Sequence, residues 1–250
     1  MAGVKHRFLL IRGLLRETRH WGSFPCLLQK HFPGAAIQAL DIPGNGKLHR
    51  LTSPDCIPAM TEALREQVDV RQPLDLVALS MGGMIALDWM TRYPDEISSA
   101  VLINTSVRPS APFYHRLRWQ SWPAIMRMLC RGKSAWEQGI LELTSNRHGQ
   151  CGALLETWLQ WRRQRPVSGR SAVNQLLAAA QFRITAHPRQ PILVVASKAD
   201  RLVDYRCSLQ MHKAWRTQYR QHDTAGHDLP LDEPQWLLHV IEQWYAARLS

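Results

Sequence analysis

Ser80 sits where an apolar run, Leu76-Val77-Ala78-Leu79, meets Met81-Gly82-Gly83. A serine hydroxyl becomes a nucleophile when a base lies within hydrogen-bond reach and a carboxylate orients that base. Such a serine at a tight strand-to-helix turn needs small residues two positions before and after it, because the backbones pack closely there. Gly82 fills the later place and Ala78 the earlier one. A helix opening just after Ser80 also aims its free N–H groups at a developing anion. Alone, the pattern fits a plain structural serine equally well, so its weight comes from partners. His227 lies in Thr224-Ala225-Gly226-His227-Asp228, and Asp200 lies in Ser197-Lys198-Ala199-Asp200-Arg201, with Asp204 four residues on as the alternative acid. The order Ser, Asp, His along the chain is that of one particular fold. The other ten histidines lack a comparable context, His222 being a weak decoy. No histidine–carboxylate spacing forms a metal-ligand pattern.

Short apolar runs that alternate with helical patterns must position these groups. Arg7–Ile11, Ala36–Leu40, 76–79, 100–103 and 192–196 read as buried strands. Residues 57–68, 82–92 and 233–248 read as helices, the last with Trp236, Leu237, Val240, Ile241 and Trp244 on one face. Such alternation predicts the α/β class, a mostly parallel sheet with helices on both faces. Between 107 and 186 the rhythm breaks into helical pieces near 121–131, 134–144, 152–165 and 171–182, with Ser168 or Ser171 capping the last. The expected organisation is a first core part (1–106), an inserted all-helical lid (107–186) and a second core part (187–250).

Composition narrows the class. At 250 residues, 45% hydrophobic with 10 Trp, the chain is ample for a buried core and excludes disorder. No apolar run approaches the roughly 20 residues of a membrane span. Five cysteines (26, 56, 130, 151 and 207) without C-x-x-C spacing argue against a disulfide scaffold or zinc ribbon and fit a reducing compartment. The Arg-rich segment 1–19 lacks the apolar stretch of a secretory signal, and a cytoplasmic location is expected. Arginine supplies 25 of the 31 basic residues behind the net charge of +11. Two readings stay open: bidentate contacts to carboxylate or phosphate, or Arg replacing Lys on solvated faces. Residues 107–186 hold 12 basic and 3 acidic residues, hence +9 of the +11, together with five Trp (119, 122, 136, 158 and 161). No zinc-finger, RNA-recognition or helix-turn-helix pattern accompanies the charge, so nucleic acid is not an expected partner.

Further segments carry a resemblance: Asp41-Ile42-Pro43-Gly44-Asn45-Gly46, Arg92-Tyr93-Pro94 followed by Val101-Leu102-Ile103-Asn104, and Gly226-His227 with Glu233-Pro234. With the Ser80 turn, they resemble the α/β-hydrolase superfamily over nearly the whole chain. That resemblance implies the α/β-hydrolase fold, with Ser80 as nucleophile, His227 as general base and Asp200 as orienting acid. It implies an oxyanion hole from the backbone N–H groups of Met81 and Leu14. The turn that usually begins His-Gly reads Arg12-Gly13-Leu14-Leu15 here. Arg12 therefore either packs structurally or attracts an anionic group. The implied chemistry is an acyl-enzyme route with no cofactor and no metal. A serine at the turn separates the chain from dehalogenase and epoxide-hydrolase relatives, which use aspartate.

The substrate implied is a small-molecule carboxylic ester or thioester of an apolar acyl group, with Arg12, Leu15, Trp119 and Trp122 as candidate contacts. Size, triad spacing and the Arg-bearing lid are also similar to pimeloyl-carrier-protein methyl ester esterases. In that case Arg162, Arg163 and Arg165, with Arg116, Arg118, Arg127 and Arg131, form a basic face for an acidic acyl carrier protein. C–C bond hydrolysis and a non-catalytic hydrolase-fold binding protein are the remaining alternatives. An intact Ser80, Asp200 and His227 set argues against the second.

Overall fold

The computed structural model describes residues 6–108, 113–130, 136–184 and 186–248. Six strands, β1 (Arg7–Ile11), β2 (Ala36–Leu40), β3 (Leu74–Leu79), β4 (Ile97–Ile103), β5 (Ile192–Ser197) and β6 (Gln218–His222), form one sheet in the order β2-β1-β3-β4-β5-β6. Every pairing among them is parallel, so the sheet is wholly rather than mostly parallel. The five apolar strands fall where their sequence runs predict, although β2, at the other edge of the sheet, is buried only at Leu40. β6 was not expected, since Gln218-Tyr219-Arg220-Gln221-His222 is polar. As an edge strand it pairs only with β5 and is half solvated, so it needs no continuous apolar run.

Helices cover both faces, and the strands' period of two shows why. Leu9, Ile11, Leu76, Ala78, Ala100, Leu102 and Val194 pack against α2 (Ile57–Arg65) and α3 (Met81–Arg92). The alternate residues Phe8, Leu10, Val77, Leu79, Val101, Ile103 and Val195 pack against α1 (Phe24–His31) and the C-terminal helix α11 (Pro234–Ala246). Both sets are almost fully buried, each large side chain contributing about 1.5–3 kcal/mol.

Between β4 and β5 run α4 (Phe113–Arg116), α5 (Trp122–Cys130), α6 (Trp136–Thr144), α7 (Gly152–Gln164) and α8 (Gly169–Gln181). The expected helix ends at 131 and 134 lie outside the described residues. Ser168 is the cap of α8, its hydroxyl accepting from the Ser171 N–H. Two more helices complete the chain, α9 (Tyr205–Trp215) before β6 and the short α10 (Leu229–Asp232) before α11. Among the described residues no helix is long and apolar enough to cross a membrane. The strand order reverses between β1 and β3, and parallel α/β sheets bind ligands at the carboxyl ends of strands at such a point. Gly13 follows one of these strands and Ser80 the other.

Candidate active site

Ser80 is the only residue between β3 and α3, and the turn forces it to φ 58°, ψ −121°. A left-handed φ on a side chain other than glycine stores about 1–3 kcal/mol, so the surroundings must hold it. They do so through three bonds: the Ser80 N–H donates to the Ile103 carbonyl (2.9 Å), and its own carbonyl accepts from Gly83 N–H (2.9 Å) and Thr105 Oγ1 (2.7 Å). Close packing explains the small neighbours. A Cβ on Gly82 would meet the Ile11 carbonyl oxygen at 2.4 Å, and one on Gly13 would meet Ser80 Cβ at 2.9 Å. Among the described residues the Ser80 hydroxyl has no hydrogen-bond partner, and it makes no cap bond to α3.

His227 and Asp200 come together. The His227 ring nitrogen Nδ1 lies 2.6 Å from Asp200 Oδ2, with both residues buried. The other carboxylate oxygen, Oδ1, accepts from the N–H groups of Leu202 (2.7 Å) and Val203 (3.0 Å). Three donors thus fix the acid's orientation. Burial opposes charging of the imidazole, but the Asp200 charge and hydrogen bond, with the Asp228 charge, outweigh it and raise the His227 pKa above its ordinary value. The bond to Asp200 directs the Nδ1 proton to the carboxylate, leaving Nε2 as the acceptor. Asp204, the alternative acid, instead caps α9 by accepting from the Arg206 N–H (2.9 Å). Burial, with Asp204's charge, pushes the nearby Cys207 thiol up to about 12, which makes it a poor nucleophile.

Asn104 was not singled out from the sequence, yet it joins these parts. Its Nδ2 donates to the His227 carbonyl (2.8 Å) while its Oδ1 accepts from the Ser197 N–H (2.7 Å). Ile103 and Asn104, consecutive at the end of β4, therefore hold Ser80 on one side and His227 on the other. A polar residue closing an apolar strand was the available signal.

The turn after β1 is held from the helical insertion. Leu15 has φ 59°, and its N–H donates to Gln175 Oε1 of α8 (2.9 Å). Gln175 is fully buried and also donates to Asn45 Oδ1 and Ser53 Oγ, both at 2.8 Å. Nothing in the sequence marks this glutamine, one of several polar residues in a helical run. The N–H groups of Leu14 and Met81 donate to no protein acceptor among the described residues. They are thus available to a ligand on the β1 and β3 sides of the switch point.

The other expected contacts behave differently. Arg12 is buried, and its guanidinium meets Asp228 in a two-pronged pair at 3.0 and 2.6 Å, which supports the packing reading over anion capture. Trp119 is 68% exposed. The Trp122 side chain lies outside the described residues. The expected basic face also divides: Arg162 pairs with Glu137 (2.7 Å), Arg165 with Glu17 (3.3 Å), and Arg116 bonds the Ala179 carbonyl (2.6 Å). Arg118 and Arg127 do share a cleft of about 570 Å³ with Lys198 and Arg201, where Asp200 also lies. Arg131 is outside the described residues.

Comparison with known proteins agrees with this fold. Residues 7–234 match the family profile described as the alpha/beta hydrolase fold. A homoserine O-acetyltransferase of Pelobacter propionicus is 44% identical over 73 residues, 27% of this chain and 19% of that protein. A pimeloyl-[acyl-carrier protein] methyl ester esterase of Chromobacterium violaceum is 29% identical over 104 residues, 42% of this chain and 37% of that protein. Each match spans well under two thirds of the relative's length. The solved enol-lactonase of Burkholderia xenovorans LB400 superposes with a TM-score of 0.77 at 17% identity, over 96% of this chain and 91% of that one.

Proposed function

Because the chain belongs to the alpha/beta hydrolase fold family, we propose that it is a serine hydrolase cleaving carboxylic esters or thioesters of an apolar acyl group. One observation carries the reading: an unpartnered serine hydroxyl on a strained strand-to-helix turn, with a buried His227–Asp200 pair anchored through the same strand end. Ser80 attacks the acyl carbon while His227 Nε2 takes its proton, and Asp200 stabilises the imidazolium that forms. The Leu14 and Met81 N–H groups hold the tetrahedral oxyanion, each lowering the barrier by about 3 kcal/mol. His227 then protonates the leaving group, and water cleaves the acyl-enzyme. On this reading the helical insertion is the lid.

A second reading, a carrier-bound methyl ester as substrate, draws on the cationic cleft and on the Chromobacterium violaceum relative. Four cations, Arg118, Arg127, Lys198 and Arg201, line the cleft against two acids, Glu142 and Asp200, and form no ion pair among the described residues, which suits an acidic carrier.

Both readings meet one test: hydrolysis of p-nitrophenyl esters from acetyl to dodecanoyl beside a carrier-bound acyl methyl ester, with Ser80→Ala in parallel. Loss of the nucleophile should lower turnover by roughly 10⁴-fold or more. Activity that survives in Ser80→Ala overturns the assignment. Turnover of the carrier-bound ester alone selects the second reading.

A further inference from the structure

We propose that Arg12 and Asp228 are a positioning pair, one buried ionic clasp that fixes the oxyanion turn against the loop of the general base. The inference rests on the reading of Ser80 and His227 above. Arg12 stands two residues before Leu14, whose N–H is an oxyanion donor, and Asp228 directly follows His227. The two side chains are 216 residues apart in sequence, yet they form parallel bonds of 3.0 and 2.6 Å. Their side-chain exposures are 3% and 4%. The guanidinium also lies 5.0 Å from the Trp21 ring, and the Asp228 N–H donates to the Thr144 carbonyl at the end of α6 (2.8 Å). Each partner thus has a second contact besides the pair.

Stability alone is a weak reason for such a pair, since two well-packed apolar side chains often hold a fold as well as a buried ion pair. What an apolar pair lacks is direction. A planar guanidinium fork on a carboxylate fixes both distance and orientation. Direction matters here because an oxyanion donor acts only when aimed at the position the anion will occupy. The pair also brackets His227 electrically: of the charges facing the imidazole, Asp200 and Asp228 raise its pKa and Arg12 lowers it.

The test compares Arg12→Met, Asp228→Asn and the apolar double variant Arg12→Met/Asp228→Leu, reading the rate at which a fluorophosphonate labels Ser80 across pH. Thermal unfolding and the NMR titration of His227 accompany it. The double variant should fold with near wild-type stability but label about 100-fold more slowly, the loss expected for a misplaced reacting group. The His227 titration should move to higher pH in Arg12→Met and to lower pH in Asp228→Asn. Where a single variant fails to fold, the double variant and Arg12→Lys carry the comparison. A double variant with wild-type stability and wild-type labelling overturns the proposal and leaves the Ser80 assignment standing. Absence of labelling at Ser80 in the wild-type protein instead overturns the functional reading together with the pair.

Discussion

Where α6 and α7 meet the turn after β1, charge is buried and matched; where residues 118–127 meet the loop after β5, the cations are more open and form no ion pair among the described residues. In the first region Glu137, 3% exposed, accepts from Arg16 (2.6 Å) and Arg162 (2.7 Å). Glu17 there takes Arg19 and Arg165, and Arg16 also lies over the Trp158 ring at 4.6 Å. In the second region the Arg118 and Arg201 side chains bond, among the described residues, only backbone carbonyls, of Asp200 and Glu142, while Arg127 and Lys198 line the cleft. One charge excess therefore serves two ends. An arginine facing a buried carboxylate fastens the insertion to the core, and one facing solvent leaves a cationic surface. The count of +9 cannot separate them, because the deciding acids, Glu17 and Glu137, lie 120 residues apart in sequence.

The contrast breaks most sharply at Glu137. Glu137→Gln leaves Arg16 and Arg162 buried together without a carboxylate, and removing one partner of a buried pair destabilises by about 3–5 kcal/mol. Urea unfolding checks this; a loss under about 1 kcal/mol, the range of surface pairs, means the contact does not fasten the insertion.

His20 gives a smaller effect with a definite sign. Burial, with the charges of Arg16, Arg12 and Arg19, holds its pKa well below 6.5, and its Nε2 lies 2.8 Å from Arg16 Nη1. The unfolded chain takes up a proton there below pH 6.5 and the folded one does not, so stability falls as pH drops through 6.5. His227 works the other way: its raised pKa adds stability that is complete below 6.5 and lost as pH rises through the folded value. His20→Gln should therefore narrow its stability gap to wild type as pH falls from 7.5 to 5.5. A gap that stays constant over this range shows that His20 does not titrate differently on folding.

The sheet and the Ser80 turn were legible because their signals are local. A buried parallel strand must be nearly all apolar, and a turn that tight leaves room only for Ala78 and Gly82. His227 and Asp200 were legible as motifs, though nothing in the sequence says that Asp200 rather than Asp204 faces the ring. That choice is made by the Leu202 and Val203 N–H groups, which turn the Asp200 carboxylate inward. Gln175 and the partner of Arg12 stayed hidden for the opposite reason, and Asn104 showed only as a polar residue closing an apolar run. Each acts across more than 90 residues through one side chain, and no periodicity or spacing reports such a contact.

The open side of the comparison predicts the smallest change and is the stricter test of it. Arg127 and Lys198 are exposed, with no hydrogen bond or ion pair from either side chain among the described residues. Replacing both by alanine removes no contact, so stability should shift by no more than about 0.5 kcal/mol. What remains in the cleft carries both signs, since the two removed cations repel Arg118 and Arg201 and attract Glu142 and Asp200. At low salt the double variant should therefore stay within about 0.5 kcal/mol of wild type. At 1 M salt, where the screening length contracts from about 10 Å to about 3 Å, the difference should vanish. Urea unfolding at both salt concentrations checks this. A loss above about 1 kcal/mol at low salt means that a carboxylate pairs with these cations in solution, and the division between a fastened and an open flank of the insertion then fails.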